Sequence, residues 1–334
     1  MQQPQHTGIV GAHALSGVLP GKDLLALRPL EPAVLRRILQ RAAQHAQALD
    51  EDPYAVGQTL RGQVVALLFF EDSTRTRLSF AMAVHRLGGR FIELTDRGSS
   101  LSKGETLADT ARTVEAMGVS RIIVRAKHQA EVLEVAQAVR IPTLNAGAGD
   151  AEHPTQGLLD TLALAEAHHR LDTLDLTGLT VLIVGDVARS RVARSSGACM
   201  AALGARVLVA GPGVDGALAD TASGQAIPEP DFDHALTLAD AVMALRIQHE
   251  RGGSQLDAQG ADAQYRERFG LTEQRAQALK PGAVVMHPGP ANPGVEIDPS
   301  VMTGPRSIIT RQVALGVACR MACLEARGAV SGRL

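Results

Sequence analysis

Aromatic residues are almost missing from this chain: its 334 residues include no tryptophan, two tyrosines and six phenylalanines. A core must therefore rest on Ala, Leu, Val and Ile, and a hydrophobic content of 45% supplies enough of them. Cysteine is scarce as well. Cys199, Cys319 and Cys323 form no CxxC pair and no even-numbered disulfide framework, which suits a reducing compartment. Cys319 and Cys323 stand one helical turn apart in an apolar run and read as core residues. No apolar run reaches the roughly 18 residues that suggest a membrane span. The first residues, MQQPQHTGIVGAHALSG, lack the charged start and long apolar core of a signal peptide. Surplus charge is missing too: 33 Lys and Arg against 35 Asp and Glu leave -2, which excludes a global attraction for nucleic acid or anionic lipid. Any positive field must be local. The chain reads as soluble and cytoplasmic, with a length suited to two domains.

What is present is an alternation of short apolar runs and helical patterns. Leu35, Ile38, Leu39, Ala42 and Ala46 recur at helical spacing over 31–49, and Pro32 suits the first turn. Residues 64–70 form a continuous apolar run of strand length, followed by a polar turn and a helix over 75–87 that Gly88-Gly89 stops. Strands at 91–94, 122–125 and 142–145 alternate with helices at 105–117 and 129–139, and 95–104 is a polar loop. A long helix over 153–167 precedes a polar stretch. The pattern then restarts with strands at 179–184, 206–209, 241–247 and 283–286 and a helix at 192–203. Residues 249–270 are polar and weakly periodic and read as a long loop or mobile segment. A last amphipathic helix over 311–326 is expected to pack on the first domain. This is an α/β chain of two domains, each a parallel sheet flanked by helices. The expected domains are 1–152 with the terminal helix of about 311–334, and 153–310.

Six segments carry the residue types of anion chemistry, and all fall where strands end. In open α/β sheets that is where ligands bind. Ser73-Thr74-Arg75-Thr76-Arg77 joins a buried strand to a helix start, where unpaired N–H groups favour anions and arginine adds planar paired donors. The competing reading is a plain Ser/Thr helix cap with solvated arginines. Ser99-Ser100-Leu101-Ser102-Lys103-Gly104-Glu105-Thr106 is either a solvated loop or one that closes on an anion. It lacks the GxxxxGK[ST] spacing of a nucleotide loop. His153 and Gln156 lie about one turn apart at a helix start, where a cap is the plainer alternative to donors for a carbonyl oxygen. Gly185-Asp186 through Arg191 has no GxGxxG fingerprint, so its arginines point to a carboxylate or phosphate. Arg246-Ile247-Gln248 and His287-Pro288-Gly289-Pro290 complete the set.

At these residues, and in this order over nearly the whole chain, the sequence resembles the aspartate carbamoyltransferase catalytic chain. The resemblance implies transfer of a carbamoyl group from carbamoyl phosphate to L-aspartate, within de novo pyrimidine (UMP) biosynthesis. It implies one domain for each substrate, with the active site between them. It assigns the phosphate to Ser73, Thr74, Arg75 and Thr76, and the carbonyl oxygen to Thr76, Arg125 and His153. The carbamoyl amine would meet Gln156 and the backbone of Gly289 and Pro290, and the aspartate carboxylates would meet Arg191 and Arg246, with Gln248 in support. Lys103, and Ser99 or Ser100, would reach in from an adjacent subunit of a homotrimer, and the resemblance leaves open a larger assembly with regulatory or dihydroorotase chains. No metal, cofactor or covalent nucleophile is implied. Three positions depart from the common pattern of relatives: Pro293 where many carry Arg, Asp72 beside the phosphate segment, and Ala81. Ornithine carbamoyltransferase shares the phosphate half. It typically carries a cysteine after the histidine that here precedes Pro288, and it needs groups suited to a cationic side chain; Arg191 and Arg246 suit a dicarboxylate instead. A catalytically silent relative kept for assembly is the alternative of another class, and the presence of Arg75, Lys103, His153 and Arg246 argues against it.

Overall fold

Continuous apolar runs become strands because parallel pairing covers a sheet on both faces. In the computed structural model, which describes residues 15–95, 104–149, 151–227, 229–247 and 258–328, the first such run is buried at five of its six positions. In chain order the first elements are β1 (Ser16–Leu19), α1 (Pro32–Glu51), β2 (Val64–Phe69), α2 (Thr74–Arg86) and β3 (Arg90–Thr95). They continue with α3 (Leu107–Ala116), β4 (Arg121–Ala126), α4 (Gln129–Ala138), β5 (Thr143–Ala148) and α5 (Pro154–Ala167). Next come β6 (Thr180–Val184), a 3-10 turn at Val187–Arg189, α6 (Arg191–Ala202), β7 (Arg206–Ala210), α7 (Gly216–Thr221) and β8 (Gln225–Ala226). The remainder is a 3-10 turn at Glu229–Asp231, α8 (Phe232–Leu238), β9 (Ala241–Ala244), α9 (Ala258–Phe269), α10 (Glu273–Gln277), β10 (Val284–Met286), α11 (Pro299–Met302), α12 (Ile309–Glu325) and β11 (Arg327–Gly328).

The chain divides into two compact units, 1–155 with 314–334, and 156–313. The first holds a parallel sheet in the order β3-β2-β4-β5 and the small parallel pair β1-β11. Ala66, Leu68, Ile122, Val124 and Val135 fill one of its cores without aromatic help beyond Phe70. Helix α1 enters at Pro32 and buries Leu35, Ile38, Leu39, Ala42 and Ala46, the stripe expected from its spacing. The second unit holds a five-stranded parallel sheet in the order β10-β9-β6-β7-β8. Its core joins Leu182, Val184, Leu208 and Val242 to three of the few aromatics, Phe232, Tyr265 and Phe269. All three cysteines are buried and none forms a disulfide.

Two expectations need correction. Residues 258–269 of the expected long loop 249–270 form α9, while 249–257 lie outside the described residues. The helix escaped notice because, from Gly260 onward, only Tyr265 and Phe269 are buried, one turn apart, and two apolar positions make no readable period. Their rings meet at 5.8 Å, and Phe269 meets Phe232 edge to face at 5.5 Å. The strand expected over 241–247 stops at Ala244, so Arg246 and Ile247 stand beyond the sheet.

Candidate active site

Strand order decides which segments meet. In the first unit, β2 lies between β3 and β4, and β4 pairs with β5. β2 leads into Glu71–Thr76, Arg125 is the next-to-last residue of β4, Gly147 is the next-to-last residue of β5, and His153 follows β5. Register makes the first contact specific: Phe69 pairs with Arg125, and the Phe70 N–H donates to the Arg125 carbonyl at 2.9 Å.

Ser73 occupies the N-cap position of α2 in extended backbone and makes no side-chain capping bond, so the helix does not consume its hydroxyl. Thr74, Arg75 and Thr76 form the first turn, which holds no acidic residue. Thr76 is buried; Arg75 is exposed, and so is Asp72. The second guanidinium of this segment is engaged elsewhere: Arg77 meets Glu93 on β3 at 3.0 Å. Arg125 is buried, and its planar head is clamped from two sides. Nη1 donates to the Ala146 carbonyl and Nη2 to the Glu71 carboxylate, both at 3.1 Å. The clamp crowds Gly147, which sits at φ +119°; a Cβ there would lie 2.7 Å from Nη1 of Arg125 and 3.4 Å from Cδ2 of His153. Arg125 and His153 therefore flank one backbone position that only glycine fits. His153 is buried and immediately precedes α5. The bend that delivers it is held by Asn145, whose Oδ1 accepts from the Gly147 N–H at 2.7 Å.

In the second unit β10, β9 and β6 are adjacent, and their carboxyl ends lead to His287, Arg246 and the stretch to Arg191. Ser190 caps α6 by accepting from the Ala193 N–H at 3.1 Å, and Arg191 is its first residue. Gly185 keeps the neighbouring loops close, since a Cβ there would lie 2.7 Å from the Leu245 carbonyl oxygen. Asn292 Nδ2 donates to the Ile247 carbonyl at 3.2 Å, joining the Arg246 segment to the one after His287. The His287 ring organises its own loop. Nδ1 accepts from the Gly289 N–H at 2.8 Å, which places the ring proton on Nε2, facing Glu296 Oε1 at 3.2 Å. The same Glu296 oxygen accepts from the Asn292 N–H at 2.6 Å. Burial first, then the charges of Glu296 and Asp186, push the nearby Tyr265 hydroxyl far above the usual phenol range. Pro293 is exposed in this loop.

Gln156 and the His287 segment share a buried anchor. Asp160, one turn beyond Gln156 on α5, is 0% exposed. Its Oδ1 accepts from Gln156 Nε2 at 2.9 Å and from Gln312 Nε2 at 2.7 Å, and its Oδ2 accepts from the Ser196 hydroxyl at 2.7 Å. Gln312 in turn accepts at Oε1 from the His287 N–H at 3.0 Å.

Within the first unit the structure thus brings Arg125 and His153 together and sets the Ser73–Thr76 turn beside Arg125. Within the second it links Gln156 to the His287 backbone through the Asp160 network, and places Arg246 and Arg191 beyond the carboxyl ends of the neighbouring strands β9 and β6. Lys103, Ser99, Ser100 and Gln248 lie outside the described residues. Reading the sequence missed Glu71, Asp160, Gln312 and Glu296. Asp160 did leave a signal: it is an acid between Leu158, Leu159 and Leu162, and a carboxylate in an apolar run of helix needs partners. Among the described residues, no group of three or more His, Cys, Asp or Glu side chains is arranged to hold a metal ion.

Comparison with known proteins matches both parts of the chain to one family. Residues 22–166 match the aspartate/ornithine carbamoyltransferase carbamoyl-P binding domain, and residues 177–326 match the Asp/Orn binding domain of the same family. The aspartate carbamoyltransferase catalytic subunit of Myxococcus xanthus is 45% identical over 310 residues, covering 91% of this chain and 98% of that protein. That of Novosphingobium aromaticivorans is 42% identical over 325 residues, covering 97% and 94%. Among solved structures, aspartate transcarbamoylase from Trypanosoma cruzi in complex with carbamoyl phosphate and aspartate superposes with a TM-score of 0.81 at 28% identity, covering 93% of this chain and 98% of that one. Ornithine carbamoyltransferase from Pyrococcus furiosus reaches 0.77 at 27% identity, covering 93% and 98%.

Proposed function

The chain belongs to the aspartate/ornithine carbamoyltransferase family, and from that premise we infer that it transfers the carbamoyl group of carbamoyl phosphate to the amino group of L-aspartate. The products are N-carbamoyl-L-aspartate and phosphate, a step of de novo pyrimidine synthesis. The curated relatives named above are aspartate enzymes and catalytic subunits by name, which favours aspartate over ornithine and an enzyme over a silent assembly partner.

The observation that carries the chemistry is the pairing of a helix N-terminus rich in hydroxyls with a clamped, buried Arg125 beside His153. In this reading Ser73, Thr74, Arg75 and Thr76 take the phosphate, using the N–H groups of the first turn of α2. Thr76, Arg125 and His153 donate to the carbonyl oxygen. Attack by the amine on the carbamoyl carbon forms the C–N bond and loads negative charge onto that oxygen. The C–O bond to phosphate then breaks, and the departing phosphate takes the amine proton. Fixed donors at a developing oxyanion are each worth about 3–4 kcal/mol in other enzymes. Holding Arg125 by Ala146 and Glu71 before substrate arrives removes the need to reorganise it during the reaction. Arg191 and Arg246 take the two aspartate carboxylates, with Gln248 in support, and Gln156 with the Gly289 and Pro290 backbone accepts from the carbamoyl amine.

Colorimetric detection of carbamoylated product tests the reading. Product with aspartate and none with ornithine is expected. Product with ornithine alone would overturn the assignment of Arg191 and Arg246, and no product from folded protein would return the silent reading. We also propose a cytoplasmic homotrimer in which Lys103, with Ser99 or Ser100, completes a neighbour's site. Balanced charge and buried, disulfide-free cysteines support the compartment. Mixing Lys103→Ala chains with Arg75→Ala chains should regain activity if sites are shared, and no regain would sink that claim.

A further inference from the structure

Asp160 is a carboxylate with no access to solvent, set four residues from a glutamine that the proposed reaction uses as an acceptor. A carboxyl oxygen that receives two amide N–H groups acts as their acceptor. Two amide NH2 groups and one hydroxyl donate to Asp160: Gln156, Gln312 and Ser196. Each glutamine therefore has its nitrogen committed to Asp160 and its carbonyl oxygen at the other end. For Gln312 that oxygen accepts from the His287 N–H, which pins the start of the His287–Pro290 segment. For Gln156 it is the end left to accept from a ligand. Without the carboxylate, either amide could rotate by half a turn and present NH2 where an acceptor stood.

We propose that Asp160 is a positioning residue that holds Gln156, and through Gln312 the His287–Pro290 segment, as acceptors for an NH2 group, so that the enzyme selects a carbamoyl phosphate over an acyl phosphate bearing CH3 at the same place. The proposal deepens the function argued above and rests on its assignment of Gln156. The nitrogen of a carbamoyl group has its lone pair delocalised and only donates, so it needs acceptors. A methyl group gives those acceptors nothing, and a buried acceptor left unmet penalises the wrong substrate. A glutamine able to flip would meet NH2 with NH2 and would lose that discrimination.

The test is a competition. The whole enzyme is given carbamoyl phosphate and acetyl phosphate together, with limiting aspartate, and the ratio of N-carbamoyl- to N-acetylaspartate is measured by mass spectrometry. The ratio reports relative kcat/KM and does not depend on the active fraction, so a purely structural defect leaves it unmoved. Asp160→Ala is expected to lower the ratio by about tenfold or more, the worth of one oriented hydrogen bond. Asp160→Asn keeps an acceptor oxygen for both amides and is expected to hold the ratio within about threefold of wild type. Ser196→Ala takes a donor from the other carboxylate oxygen without touching Gln156, and is expected to leave the ratio unchanged. A folded Asp160→Ala enzyme with the wild-type ratio overturns the proposal. Should that variant not fold, Asp160→Val carries the same test; if neither folds, Asp160 serves the fold alone and the proposal falls. Wild-type protein that forms no N-carbamoylaspartate would instead overturn the function on which the proposal rests.

Discussion

Replacing Glu325 by glutamine tests how the first unit is held together. Glu325 ends α12 with its side chain 3% exposed. Arg41 reaches it through Nε at 2.5 Å and Nη2 at 3.0 Å, His45 through Nε2 at 3.0 Å, and Thr59 through its hydroxyl at 2.9 Å. Burial by itself raises the carboxyl pKa, but the hydrogen bonds from His45 and Arg41, with their charges, outweigh it and hold the group down at about 2. Against the usual 4.5, that difference corresponds to about 3 kcal/mol at ~1.4 kcal/mol per pH unit. A depressed carboxyl contributes its stability above the unfolded value and loses it as pH falls through the folded one, so the window runs from 4.5 down to about 2. Glu325→Gln removes the charge at every pH. At neutral pH it should lower stability by about 3 kcal/mol, at the edge of the ~3–5 kcal/mol seen when a buried ion pair loses one partner. The gap to wild type should close as the solution is acidified through that window. With no tryptophan in the chain, urea unfolding is followed by circular dichroism. A neutral-pH gap under about 1 kcal/mol would refute the magnitude, and a gap that stays constant with acidification would refute the sign.

Gly147→Ala should push its new Cβ against Arg125 and strain a φ of +119°, lowering kcat by about a hundredfold while aspartate KM changes little; steady-state kinetics checks this, and activity within twofold of wild type would contradict the clamp. Arg246→Ala should raise the KM for aspartate by about a hundredfold or more, with carbamoyl phosphate binding nearly unchanged by calorimetry; equal losses for both substrates would argue against its assignment. Tyr265→Phe removes a buried hydroxyl that has no hydrogen-bond partner among the described residues. It should therefore leave thermal stability unchanged or slightly higher, by up to about 1 kcal/mol, and a clear loss in calorimetry would reveal a partner for that oxygen.

Most of the architecture could be read from local pattern. Parallel strands covered on both faces write themselves as uninterrupted apolar runs, and β2 and β4 were found that way. Helix α1 declares itself through five buried apolar residues at helical spacing. Helix α9 did not, because two aromatic anchors suffice where Phe232 supplies the third wall. The short elements α7, β8 and α8 were likewise silent, being too brief for any period to build up. Candidate site residues were legible where they cluster, as in Ser73–Thr76. Their supports were not, since Glu71 and Arg125 are 54 positions apart and meet only because β2 pairs with β4.

The sequence by itself determined the class of fold, the two-part organisation, the candidate site segments and the family, because these depend on periodicity, composition and short motifs in fixed order. Only the tertiary structure decided which side chains hold the others: Glu71 against Arg125, Glu296 against His287, Asp160 beneath Gln156 and Gln312. The reason is physical. A hydrogen bond is settled to within tenths of an ångström by strand register and helix packing, and neither leaves a trace in the spacing of residues along the chain.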